Sequence, residues 1–140
     1  LAREFMDTMK LDVDRNLVLT ACLMYDCLKI DSPEEIVRLQ KSQEEYRDYL
    51  KSLGFSDRFC KICAEHSRVG QDPNVKREDE SDILELVDQF GGLIMHRSDR
   101  LAYTVPEALE ILVNKNMKDS DNKYLSTFQE FVDIMEDIKV

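Results

Sequence analysis

Leu17-Val18-Leu19-Thr20-Ala21-Cys22-Leu23-Met24-Tyr25-Asp26-Cys27-Leu28-Lys29-Ile30, wound as an α-helix, is apolar around most of its circumference. A helix without a wide polar face belongs in the middle of a bundle. Val13, Leu17, Val18, Ala21, Cys22, Met24, Tyr25 and Leu28 recur at helical spacing, and no alternating pattern argues for a strand. Asp12 or Asp14 is placed to cap the start of this helix.

The same period extends to both sides. Leu1, Phe5, Met6 and Met9 mark a short first helix. Ser32-Pro33-Glu34-Glu35 combines a capping hydroxyl, a first-turn proline and a capping-box glutamate, and so predicts a further helix start. Ser42 with Glu45 repeats the signal ahead of Tyr46, Tyr49, Leu50 and Leu53, and Gly54 is placed to stop that helix. From Ser56, the residues Phe59, Ile62, Cys63 and His66 share one face. The polar run from Val69 to Glu80, with Gly70 and Asp72-Pro73-Asn74, predicts the longest loop. Ile83, Val87, Phe90 and Ile94 mark the next helix, in which Gly91-Gly92 costs about 1 kcal/mol per glycine relative to alanine and predicts close packing by a neighbour. Thr104 and Glu107 open a capped helix through Val113, and Tyr124, Phe128, Phe131, Met135 and Ile138 form the last stripe. The expected fold is all-α, a compact bundle of about six to seven helices.

A chain of 140 residues suits one hydrophobic core and is read as a single domain over residues 1–140. With 43% hydrophobic and 34% charged residues, it has enough apolar surface to offset chain entropy. The net charge of -10, from 29 acidic and 19 basic residues, repels nucleic acid and anionic lipid. Nucleic acid and membrane are therefore not expected partners. No stretch is long and apolar enough to span a bilayer, and no signal-peptide pattern opens the chain, so the expectation is a cytoplasmic protein. Cys22, Cys27, Cys60 and Cys63 are then reduced. Cys60-x-x-Cys63 with His66 invites a zinc reading, but no second ligand pair accompanies it, and a small core residue is the stronger reading.

Two carboxylates interrupt apolar helical runs, Asp26 within Leu23–Leu28 and Asp88 within Leu86–Phe90. An ionised acid in such surroundings requires a metal, an arginine or several donors. The ordinary alternative is the one exposed edge of each helix. His66 on its apolar face, with Lys29, Arg97 and Arg100 as nearby cations, sketches a polar pocket suited to a metal and a phosphate ester. For Arg97 and Arg100 the plain reading is a solvated helix end.

Ile83-Leu84-Glu85-Leu86-Val87-Asp88-Gln89-Phe90-Gly91-Gly92-Leu93, followed by Arg97-Ser98-Asp99-Arg100-Leu101-Ala102 and Pro106-Glu107-Ala108-Leu109-Glu110-Ile111-Leu112, resembles the C-terminal half of the HD-GYP domains, a branch of the HD metal-dependent phosphohydrolase superfamily. The stretch Leu17–Ile30 resembles the helix that carries the family's His-Asp pair and the lysine three residues later. Ala64-Glu65-His66-Ser67-Arg68 resembles its His-His-Glu region. The resemblance implies an HD-domain-like helical fold, with Asp26, Asp88 and His66 as metal ligands, Lys29 as a phosphate contact and Arg97 and Arg100 as nucleotide contacts.

The departures are specific. Tyr25 stands where the family has the histidine of its pair, only His66 remains of the paired histidines, and no Gly-Tyr-Pro follows. The segment between Asp26 and His66 is short and holds no histidine, and the family's first histidine would fall before Leu1. The expectation is a degenerate, non-hydrolytic domain in bacterial signalling, acting through a protein partner, a neighbouring domain or a nucleotide such as cyclic di-GMP. It would carry no cofactor, or iron or manganese where the residual site is filled. An active phosphodiesterase and a purely structural or homodimerising domain are the alternatives.

Overall fold

The computed structural model describes residues 1–31, 43–65, 76–95 and 101–139, with the backbone alone at 25–31, 43–46 and 137–139. Seven α-helices and no strand occur among the described residues. They are α1 (Ala2–Thr8), α2 (Arg15–Asp31), α3 (Gln43–Ser52), α4 (Asp57–Glu65), α5 (Asp79–Ile94), α6 (Val105–Ile111), which runs on into a π-helical turn at Leu112–Asn116, and α7 (Leu125–Lys139). The all-α expectation holds. No described helix is long and apolar enough to cross a membrane. The helix start at Ser32–Glu35 lies outside the described residues.

Local chemistry sets the helix ends. Asp14 caps α2, its Oδ1 accepting the Leu17 amide at 3.2 Å, which satisfies a donor that the helix leaves open. At the end of α3 the Gly54 amide donates to the Lys51 carbonyl at 3.0 Å and the Phe55 amide to the Leu50 carbonyl at 3.4 Å. With Gly54 at φ +93, this pairing is a Schellman stop. Phe55 and Leu50 also meet in one apolar cluster. Thr104 Oγ1 accepts the Glu107 amide at 3.3 Å and donates to Glu107 Oε1 at 2.7 Å, opening α6 as its capping signature predicts.

The contacts gather into two compact units, Leu1–Val13 with Glu85–Val140, and Asp14–Leu84. The core of the first is aromatic. Phe128 of α7 meets Phe5 of α1 edge-on at 5.1 Å between centroids and Phe90 of α5 at 5.2 Å. Phe131 lies 5.3 Å from Phe5. Such edge-to-face pairs add to the burial energy of the rings, and Phe128 is fully buried. The core of the second unit collects Ala21, Leu50, Phe59, Cys60, Ile62, Cys63, Ala64 and Leu84, with Leu17, Cys22, Met24 and Phe55 packed against it. Phe55 stacks on Phe59 at 4.4 Å.

One packing expectation is corrected. Of the Gly91-Gly92 pair, a Cβ built at Gly91 meets nothing within 4 Å among the described residues, so no close approach of a described neighbour accounts for glycine at position 91.

Two stability outcomes follow. Replacing Gly91 by alanine removes backbone freedom from the unfolded chain and raises stability by about 0.5–1 kcal/mol; a destabilised variant in urea denaturation would reveal a contact at that position. Phe128→Ala deletes the ring shared by three helices and costs about 3–5 kcal/mol, read from the same denaturation curves, with Phe128→Leu costing less.

Candidate functional site

Only part of the expected site lies among the described side chains. Asp26 and Lys29 sit on the backbone of α2, their side chains outside the description. His66 directly follows the last residue of α4, and His66, Arg97 and Arg100 lie outside the described residues. Asp88 belongs to α5 and is half-buried. It is not an isolated charge, since it takes part in a polar or electrostatic contact. Among the described residues no three His, Cys, Asp or Glu side chains converge to hold a metal ion.

The Cys60-x-x-Cys63 pair is core. Cys60 is 0% and Cys63 2% exposed, both on the apolar face of α4. The Cys60 thiol points at the Phe55 carbonyl, 3.8 Å away. Burial, with the neighbouring Cys60 and Cys22 thiols, pushes Cys63 up to about 12. Burial first, then the charge of Asp57, also raises Cys60. Thiolates are the nucleophilic and metal-binding form, so burial of this kind keeps a cysteine inert.

The ordered polar chemistry lies where periodicity gave no sign of it, around the start of α5. Arg77 donates to Asp82 Oδ1 at 2.7 Å, to the Glu65 carbonyl that closes α4, and to the Ser81 carbonyl at 3.4 Å. Its side chain is 11% exposed and that of Asp82 8%, so the pair is held largely away from water. Arg58 of α4 bridges Asp14 Oδ2 and Glu80 Oε1, each at 3.1 Å. Glu80 Oε1 also accepts the Asp14 amide at 2.9 Å. Partial desolvation opposes the charge on Arg58, but the hydrogen bond and charge of Glu80, then the charge of Glu78 and the hydrogen bond to Asp14, outweigh it and the net shift is upward. Two guanidinium groups thus tie the starts of α2 and α5 to α4.

These contacts escaped the sequence reading because Lys76-Arg77-Glu78-Asp79-Glu80 looks like a solvated charge run. The one available signal was the placement of Asp79, Glu80 and Asp82 in the first turn of α5, where the helix dipole favours acids. In the other unit, the buried Glu85 accepts from Asn122 Nδ2 at 2.8 Å, and Gln89 accepts from Asn116 at 3.2 Å. Asn122 in turn accepts the Tyr124 amide at 2.9 Å. Glu85 and Gln89 lie one turn apart on α5, so this face of the helix orders the segment between the π-helical turn and α7.

No protein-family model, curated protein or solved structure matches the chain.

Removing the buried guanidinium with Arg77→Met costs about 3 kcal/mol, because Asp82 loses the cation beside it in a water-poor setting. Arg58→Met costs less, about 1–2 kcal/mol, because this guanidinium is 45% exposed and screened, and the buried Glu80 that it leaves keeps the Asp14 amide as a donor at 2.9 Å. Equal losses in urea denaturation would show that burial does not separate the two arginines. For Cys63 the sign of the pH effect is fixed by the upward shift. The fold favours the neutral thiol, so its contribution is complete below the ordinary thiol value of 9.0 and is lost as pH rises toward about 12. Raising the pH from about 8 to about 11 therefore lowers the urea midpoint more in the native chain than in Cys63→Ala; identical falls would remove Cys63 as a source of the alkaline loss.

Proposed function

We propose that the chain is a degenerate, non-hydrolytic module of the HD-GYP kind, which acts in bacterial cytoplasmic signalling by binding a protein partner or a neighbouring domain. Cyclic di-GMP is the nucleotide it would take if one binds. The observation that carries this reading is the donor set. Residues 1–140 hold two histidines, and Tyr25 stands at the position where the resemblance calls for a metal-binding imidazole. Asp26, Asp88 and His66 together supply two carboxylates and one imidazole. That set is too small to hold the multi-metal iron or manganese centre that generates a hydroxide and clamps a phosphodiester, because such sites need a full first shell and its supporting contacts.

Two further observations support the reading. Asp26 and Lys29 fall on one helix, α2, and Asp88 on another, α5, which is the helical placement that the resemblance calls for. The net charge of -10 disfavours a polyanionic partner and leaves protein surfaces or a single nucleotide as the ligands to consider. In this reading Lys29, Arg97 and Arg100 are retained phosphate contacts and not parts of a reaction, and the residual site carries no cofactor.

Metal analysis of chain purified without oxygen tests the proposal directly, together with chromatographic assay of cyclic di-GMP turnover. The expected result is iron and manganese far below one ion per chain and no cleavage. Stoichiometric iron or manganese that disappears in Asp26→Ala and in Asp88→Ala, with turnover of the nucleotide, would overturn it in favour of an active phosphodiesterase. Calorimetric titration with cyclic di-GMP addresses the nucleotide: binding abolished in the Arg97→Ala, Arg100→Ala double variant assigns these two side chains, whereas binding at unchanged affinity removes them from the site.

A further inference from the structure

We draw no further inference here: the strongest candidate, the side-chain cluster of Cys22, Cys60 and Cys63 on the apolar core shared by α2 and α4, carries nothing because burial keeps the Cys63 thiol protonated and inert and among the described residues no three ligands converge there to hold a metal ion.

Discussion

Glu80 and Asp82 stand in the first turn of α5 with 5% and 6% of their surface exposed, and the cost of taking two carboxylates out of water has to be met on the spot. A buried acid without compensation costs several kcal/mol. Arg58 answers Glu80 and Arg77 answers Asp82, and each arginine does more than neutralise. Arg58 carries the connection on to Asp14, the cap of α2, while Arg77 reaches the carbonyl of Glu65 at the end of α4. The backbone carbonyls of a helix end also need donors, so one guanidinium meets two requirements at once. The hydrophobic cluster of this unit supplies the larger share of burial, but apolar packing is non-directional. The two arginines give the starts of α2 and α5 a defined register against α4.

In the unit formed by Leu1–Val13 and Glu85–Val140, direction comes instead from ring geometry. Phe128 is met edge-on by Phe5 and Phe90, an arrangement favoured by the charge distribution of the rings. Asn122, itself buried, joins the Glu85 carboxylate to the turn before α7 through its two side-chain ends. The π-helical turn at Leu112–Asn116 precedes that segment. The two units thus reach definition by different means, one by paired charges and the other by aromatic contacts.

Charge held in compensated pairs, as at Arg77 and Asp82, is structural charge, and its partners leave little capacity for a ligand. The residues that the HD-GYP resemblance singles out form a different set, of which Asp88 alone has a described side chain. Their chemistry is limited by composition before any geometry enters. Imidazole is a principal ligand for transition metals of this class, and a chain with two histidines has few to give. The phenol at position 25, where the resemblance calls for an imidazole, suits the helical pattern of α2, because tyrosine and histidine fit a helix about equally well. A fold by itself does not establish a reaction.

The sequence by itself determined the all-helical class, the Thr104 cap, a cap for α2 at Asp12 or Asp14, the stop at Gly54 and the aromatic stripe ending in α7. Each depends on interactions within a few residues or on a period along the chain. It also determined which metal donors exist, since that is a matter of residue identity. Tertiary structure alone decided that Arg58 and Arg77 pair with the buried acids of α5, that no described residue approaches a Cβ at Gly91 within 4 Å, and that Glu85 is matched by Asn122, 37 residues away. Charge runs carry no period that separates a solvated face from a buried pair. Which side chain supplies the counter-charge is set by contacts between helices, and the one-dimensional pattern does not encode their distances.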